Sequence, residues 1–270
     1  MGQASPMIPS NSSPKDALLL LTHGSHHSRA IAQNQLLLIE ARRFLPQFTI
    51  ELGFLDYAAP LPLECLSQLA DRGTKLVTIA PLLLLQGNHT TQDLPRILRT
   101  ARQQFPAMEI SVLPHLGAHS AVRNWSGKLL QLAIERMWSR CEPSQSWDWL
   151  FIARGGRAKE LLTQVSTFLG QSYPYPATPR KKTIELLTND TWHRAIRKTD
   201  GTPLIVQTHL LLDGTLSDRI RAEIKSATES HPRSLEFIPS VIPHESEFEF
   251  CREVLLPYFI GAEVTAPVGE

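Results

Sequence analysis

The chain has 270 residues, of which 42% are hydrophobic, and a formal net charge of +1. This length allows one large domain or two of ordinary size, and the balanced charge argues against nucleic acid as the main partner. The three cysteines have no CxxC spacing, which argues against a thiolate zinc site or a disulfide framework and favours the reducing cytoplasm. No apolar run approaches the roughly 20 residues that span a bilayer, so we expect no membrane partner.

The first half of the chain alternates between predicted strands and helices. Residues 1–15 are polar and rich in Ser and Pro, which predicts a disordered tail without the features of a signal peptide. The continuous apolar run 17–22 predicts a strand covered on both faces. Gly73 suits the C-cap of a helix. Further strands are predicted at 48–56, 75–85 and 108–114, and helices at 31–44, 63–70, 93–105 and 121–137.

The second half resumes the same alternation after a polar, proline-containing segment, 139–147, that predicts a linker. Strands are predicted at 148–156, 181–190, 203–214 and 235–241, and helices at 158–169, 217–230 and 245–259. Such alternation is typical of an α/β fold with parallel sheets. We therefore predict two half-domains, each a parallel sheet flanked by helices, over 16–138 and 148–262, with 263–270 as a tail.

The two halves look like copies of one unit. The segment "LLLLTHGS" matches "WLFIARGG", which sets Arg154 against His23. In the same way "IELGFLD" matches "IELLTND", and "LLLLQG" matches "HLLLDG". These matches set Asp190 against Asp56 and Gly214 against Gly87. The repeat predicts that the second half lacks the histidine that the first half presents.

Polar side chains follow successive predicted strands of the first half. His23 follows the first strand, Asp56 ends the second, and Gly87, Asn88 and His89 follow the third. Since ligands bind outside the carboxyl ends of parallel strands, we expect these side chains to share one edge of the sheet. Two imidazoles and a carboxylate form a nitrogen and oxygen ligand set that suits borderline metals, with open positions for further ligands.

Several roles stay open at this point. His26 and His27 lie in the loop after Ser25, where they either pass metal inward or are simply solvated. His115 and His119 flank the fourth strand's end, where either one could line a pocket. A phosphate-binding α/β enzyme that uses Gly24 and Gly87 is a further reading. The GxSxG, Walker A and GxGxxG motifs are absent from the sequence.

At these residues the chain resembles the sirohydrochlorin cobalt- and ferro-chelatases, the class II tetrapyrrole chelatases that are related to ferrochelatase. The resemblance rests on "LLLLTHGSHHSRAIAQN", "LGFLDYAAPLPLECL", "GTKLVTIAPLLLLQGNHTTQDLPRIL" and "VLPHLGAHSAV", which together cover about residues 17–125. It implies two half-domains that face a central cleft, with the active site in the first half and a degenerate second half. It also implies insertion of Fe²⁺ or Co²⁺, and possibly Ni²⁺, into sirohydrochlorin without ATP or a prosthetic group. The product would serve siroheme or cobalamin synthesis.

The resemblance also assigns roles to individual residues. His23 and His89 match the family's metal-site histidines, and Asp56 stands where the family usually has glutamate. Cationic and polar residues are expected to contact the carboxylate-rich macrocycle, and the helix-borne Arg96 and Arg99 are further candidates. The assigned substrate contacts are Ser25, Arg29, Gly87, Asn88, His119 and Arg154. We expect a monomer with an internal pseudo-dimer; a non-catalytic carrier of tetrapyrrole or metal is the alternative.

Overall fold

The computed structural model describes residues 16–140, 146–154, 158–170, 179–186, 192–197, 201–230 and 234–261. The first strand is buried along its whole length, as its apolar sequence predicts. Gly73 takes a positive φ of 79° directly after the second helix, as a C-cap requires. The elements of the first half are β1 (Ala17–Thr22), α1 (Ser28–Phe44), β2 (Thr49–Phe54), α2 (Pro62–Asp71), β3 (Leu76–Pro81), α3 (Leu94–Gln104), β4 (Glu109–Val112) and α4 (Ser120–Trp138).

The second half follows the predicted order, with one short helix, α6, that the sequence did not predict. Its last predicted helix is divided by a π-helical turn, Cys251–Leu255. The predicted tails 1–15 and 263–270 lie outside the described residues, as does most of the predicted linker. The elements are β5 (Asp148–Ala153), α5 (Ala158–Gly170), β6 (Lys181–Leu186), α6 (Trp192–Ile196), β7 (Leu204–His209), α7 (Thr215–Ser230), β8 (Leu235–Ile238), α8 (Glu247–Phe250) and α9 (Leu256–Gly261).

The two sheets have the same topology, and every strand pair in them is parallel. The strand order is β2-β1-β3-β4 in the first half and β6-β5-β7-β8 in the second. The predicted α/β fold of two similar halves is therefore confirmed. The repeat holds at β1 with β5 and at β3 with β7, whose pairings keep the predicted intervals of 131 and 127 residues.

The match between β2 and β6 is wrong by two residues. In the first half Leu18 pairs with Ile50, whereas its counterpart Trp149 pairs with Lys182 rather than with the matched Ile184. A shift of two residues keeps each side chain on its face of the sheet, so the hydrophobic pattern alone did not reveal it. Asp190, which that match paired with Asp56, lies outside the described residues.

One large hydrophobic core joins the halves. It contains Leu20 and Trp125 from the first half and Trp149, Phe151 and Tyr258 from the second. Smaller clusters fill the outer side of each sheet. The shared core holds the loops of the two halves against each other. Within the described ranges, every helix is too short or too polar to traverse a lipid bilayer.

Candidate active site

The loop after β1 is locked against the loop after β2. The backbone N–H of Asp56 donates to the carbonyl of His23 at 2.9 Å. Gly24 has a φ of 90°, and a Cβ there would lie 1.9 Å from the carbonyl oxygen of Asp56. Only glycine fits such a close approach of two backbones. The sequence "HG" therefore fixes the imidazole of His23 at the sheet edge.

His89 occupies the first position of a π-helical turn, His89–Asp93, that leads directly into α3. The carbonyl of Gly87 accepts the backbone N–H groups of Thr90 and Thr91 at 3.0 Å each. The hydroxyl of Thr90 also accepts the N–H of Gly87 at 3.0 Å. These bonds set the direction of the turn as it leaves β3. His89 was predicted to lie in a loop before the helix, whereas it belongs to the helical segment.

The imidazoles of His23 and His89 meet, with ring centroids 4.7 Å apart and planes tilted by 52°. The residues lie 66 positions apart in the chain, and the parallel sheet brings them together at its edge. Nδ1 of His23 is buried and has no hydrogen-bond partner among the described residues. An imidazole nitrogen without a partner inside a protein is a ready ligand for a cation.

The carboxylate of Asp56 forms a hydrogen bond within its own turn. Its Oδ1 accepts the backbone N–H of Tyr57 at 2.9 Å, and the residue is exposed. Within the described part of the chain, no group of three or more His, Cys, Asp or Glu side chains is arranged to hold a metal ion. The structure thus brings the two histidines together, while the expected third ligand bonds to its own turn.

A different carboxylate supports His89. Nδ1 of His89 lies 2.9 Å from Oδ2 of Asp93, four residues further along the helical segment. A carboxylate at Nδ1 fixes the ring's orientation and tautomer, and it makes Nε2 the free and more basic ligand. Arg96 donates to the other oxygen of Asp93 at 3.0 Å. The sequence analysis missed Asp93, although its His-xxx-Asp spacing places both side chains on one helix face.

The pKa of His23 is lowered from 6.5 to about 4. Burial is the largest cause, followed by the neighbouring His89 and then by the positive charge of Arg154, while Asp56 acts in the opposite direction. His23 is therefore neutral at physiological pH, as a metal ligand must be. Arg154, an exposed residue, follows β5 just as His23 follows β1, so a cation of the second half lies close enough to act on the charge of His23.

Tyr57 forms a wall of the site that the sequence analysis missed. Its ring lies edge-on to His23 at 5.3 Å and to His26 at 5.8 Å between centroids. The side chain is 50% exposed, and its φ of 58° is unusual for a bulky residue. Strained backbone of this kind concentrates at functional sites. Ring contacts thus run from His89 through His23 and Tyr57 to His26, and this aromatic surface is partly exposed to solvent.

Two of the assigned substrate contacts have structural partners instead. Ser25 accepts the backbone N–H of His27 at 3.0 Å through its hydroxyl oxygen, which closes the turn before α1. Arg29 donates to both carboxylate oxygens of Asp218 at 2.8 Å, and His27 lies 3.1 Å from the same carboxylate. Asp218 belongs to α7, so His27 and Arg29 join the two halves. The roles of Ser25 and Arg29 as substrate contacts stay predictions.

The contacts of His119 also lie away from the histidine pair. Its Nδ1 accepts the N–H of Ala121 at the start of α4, and its ring lies 5.8 Å from Tyr258. His115 donates to the carbonyl of Leu83 at 3.2 Å. Asn88 is exposed directly before the turn of His89. His119 lines a cavity of about 310 Å³ together with Ser120, Ala121, Asn124, Trp125, Glu253 and Pro257.

The second half repeats the backbone of the site without its chemistry. The hydroxyl of Ser217 accepts the N–H of Gly214 at 2.9 Å and donates to its carbonyl at 2.8 Å. The hydroxyl of Thr90 makes the same pair of bonds with Gly87. Leu216 stands in this turn where the first half has His89. The turn is preserved, and its histidine is not.

Comparison with protein families and curated proteins finds relatives of the first half of the chain. The family model described as CbiX matches residues 17–131. A sirohydrochlorin cobaltochelatase of Methanococcus maripaludis is 33% identical over 85 residues, which are 31% of this chain and 58% of that protein. A sirohydrochlorin cobaltochelatase of Saccharolobus solfataricus is 30% identical over 108 residues, which cover 37% of this chain and 81% of that protein. The chain thus spans little more than half the length of the first of these relatives.

Comparison with solved structures extends over both halves. The structure of SirB from Bacillus subtilis with Fe3+ superposes with a TM-score of 0.68 at 19% identity. It covers 90% of this chain and 95% of SirB. At this identity the match establishes a shared fold over both halves of the chain.

Proposed function

The chain belongs to the CbiX family, and on that premise we propose that it inserts a divalent metal ion, Fe²⁺ or Co²⁺, into sirohydrochlorin without ATP. The observation that carries the proposal is the contact of the His23 and His89 imidazoles at the edge of the first sheet. The names of the family's curated relatives supply the reaction. The ring contact supports His23 and His89 as the metal ligands.

In the proposed reaction the two histidines receive the metal ion. Both side chains are half-buried at the edge of the first sheet. At such a place imidazole nitrogen competes well with water for a borderline cation. Asp93 holds His89 with Nε2 directed away from it. The remaining coordination positions stay with water, which the macrocycle nitrogens replace stepwise. A two-histidine site of this kind releases its metal more readily than a closed site with four protein ligands.

Insertion also removes two protons from the pyrrole nitrogens for each metal ion that enters, so charge is conserved. Once the metal leaves for the macrocycle, the imidazole of His89 is free to accept a proton. His23, whose lowered pKa keeps it neutral, passes a proton on rather than holding it. The carboxylate of Asp93 keeps the ring of His89 in position during this step. The exposed carboxylate of Asp56, on the loop beside His23, is one route by which these protons reach solvent.

The macrocycle itself would be held by charge and by stacking. Arg154, whose charge already influences His23, is placed to bind a carboxylate of the substrate. Tyr57 presents a half-exposed ring against which a flat macrocycle would pack. Gly87 and Asn88 line the edge beside His89. Among the described residues other than Gly87 and its two chain neighbours, no atom lies within 4 Å of where a Gly87 Cβ would be. We propose these four residues as the substrate contacts.

We propose one active site per chain and a monomer that works through its internal pseudo-dimer. Leu216 and Arg154 in place of the two histidines support a single site, and the core shared between the halves supports a self-contained chain. Cys65 and Cys251 are free, buried thiols, which fits our proposal of a cytoplasmic location. Burial raises the pKa of each thiol to about 12, so neither is a reactive thiolate.

The test is anaerobic incubation of the purified protein with sirohydrochlorin and Co²⁺ or Fe²⁺, followed by absorbance. We expect the spectrum of the metallated product to appear faster than in protein-free solution. His89→Ala should abolish this acceleration while the circular dichroism spectrum and unfolding midpoint stay close to those of the wild type. Binding of the macrocycle without metallation, or undiminished turnover by His89→Ala, would overturn the proposal.

A matched control is available within the chain. His244 is a histidine of the second half with an exposed side chain, and its nearest ionic contact is the adjacent Glu245 at 3.7 Å. His244→Ala should therefore leave metal insertion unchanged. Equal losses in His89→Ala and His244→Ala would point to a general effect of histidine content rather than to the edge of the first sheet.

A further inference from the structure

Two glutamine side chains, Gln33 and Gln164, each tie one half of the protein to a loop of the other. Gln164 follows Gln33 by 131 residues, the interval that relates β1 to β5. Oε1 of Gln33 accepts the backbone N–H of Asp213 at 2.9 Å, and Oε1 of Gln164 accepts the backbone N–H of Gln86 at 2.8 Å. Asp213 follows Gln86 by 127 residues, the interval that relates β3 to β7. The two contacts are therefore copies of each other, related by the internal repeat.

The two copies hold loops of different importance. The loop held by Gln33 leads from Asp213 into the turn that carries Leu216, which binds no metal. The loop held by Gln164 leads from Gln86 into the turn that carries His89. Gln86, which Gln164 holds by hydrogen bonds, is separated only by Gly87 from Asn88, the N-cap residue of the turn that begins at His89. A displacement of Gln86 is therefore passed on to His89 with little chain to absorb it.

Gln164 forms hydrogen bonds with both the backbone N–H and the backbone carbonyl of Gln86. Besides accepting its N–H, Gln164 donates through Nε2 to the Gln86 carbonyl at 3.1 Å. Two hydrogen bonds to the backbone of one residue fix the orientation of that residue as well as its position. A single hydrogen bond would leave the residue free to rotate about it. Gln86 is exposed, so packing contributes little to holding it, and the side-chain amide of Gln164 supplies the restraint.

We propose that Gln164 is a positioning residue for His89, through which the degenerate half orients the metal site of the working half. This inference rests on the proposed function, in which His89 is a metal ligand. It gives the second half a task beyond enclosing the substrate. It also gives a reason for the Gln164 contact, which joins the half that has Leu216 in this turn to the turn that carries His89.

The experiment compares Gln164→Ala with Gln33→Ala, its counterpart in the repeat. Each protein is titrated anaerobically with Co²⁺ alone, followed by the visible absorption of the bound ion, and its unfolding midpoint is measured. Gln164→Ala should weaken Co²⁺ binding about five- to ten-fold, the weight of one to two net hydrogen bonds, and should change the cobalt absorption bands. Gln33→Ala should lower the unfolding midpoint yet leave Co²⁺ affinity within about two-fold of wild type.

Gln164→Glu gives a second, milder variant. Its carboxylate still accepts the N–H of Gln86 but can no longer donate to the carbonyl, so its Co²⁺ affinity should lie between wild type and Gln164→Ala. Should Gln164→Ala not fold, unchanged Co²⁺ affinity in Gln164→Glu would overturn the proposal. Unchanged affinity in Gln164→Ala, or an equal loss in Gln33→Ala, would do the same. Wild-type protein that binds Co²⁺ but does not metallate sirohydrochlorin would contradict the proposed function and leave this comparison intact.

Discussion

The imidazole of His23 is expected to stay neutral well below the pH at which an ordinary histidine takes up a proton. Burial, His89 and Arg154 together lower its pKa from 6.5 to about 4. At pH 6 about 1% of His23 would then be protonated, against about three quarters of an unperturbed histidine. Because a proton and a metal ion compete for the same lone pair, His23 stays available to a cation through the mildly acidic range.

Two substitutions separate the causes. His89→Gln removes the second largest contribution to the lowered pKa of His23, and Arg154→Gln removes the third. Burial, the largest contribution, remains in both variants. The pKa of His23 should rise in each variant and stay below 6.5. Two-dimensional NMR spectra of the imidazole nitrogens, recorded from neutral pH down to about pH 4, measure it directly. A wild-type His23 pKa near 6.5 would refute the reasoning, as would a pKa that falls in Arg154→Gln.

Three further outcomes are expected. Arg154→Ala should raise the KM for sirohydrochlorin about ten-fold with little change in kcat, because it removes a charge-assisted hydrogen bond to a bound carboxylate; steady-state kinetics that show only a lower kcat would contradict this. Tyr57→Ala should raise the same KM about five-fold, the weight of one aromatic contact, and leave Co²⁺ affinity unchanged; loss of Co²⁺ binding would assign the ring to the metal instead. His209 is 3% exposed, and burial lowers its pKa to about 4, so the unfolded state takes up a proton first as pH falls from 6.5 towards 4. The wild type should therefore lose up to about 3 kcal/mol of its free energy of unfolding over that pH range. His209→Leu, whose new residue matches Leu82 at the corresponding position of the first half, should not show this loss. If urea denaturation gives both proteins an equal loss of stability in acid, His209 is excluded as the cause.

The positions of His23 and His89 followed from the sequence because they depend on backbone topology. Apolar runs gave β1 and β3, and the rule that parallel strands end at one edge brought His23 and His89 together. The same reasoning placed Asp56 on that edge, and its backbone does bond to His23. The direction of its carboxylate depends on a local turn with Tyr57, which strand periodicity does not describe.

Side-chain partners between the halves could not be read from the sequence. Arg29 and Asp218 lie 189 residues apart, and neither residue type nor local spacing indicates their pairing. Asp93 was within reach of sequence reasoning, since His89 and Asp93 have the i, i+4 spacing of a helix. It was missed because the helix was predicted to begin at 93, whereas the π-helical turn extends it back to His89.

The proposed function requires that one metal ion is bound by the imidazoles of both His23 and His89, and X-ray absorption at the cobalt edge measures this. Protein loaded anaerobically with one equivalent of Co²⁺ should show two imidazole ligands by their scattering pattern, with oxygen atoms in the remaining positions. His23→Ala and His89→Ala should each reduce the count to one. A cobalt ion with no imidazole ligand, or with two that persist in both variants, would contradict the account.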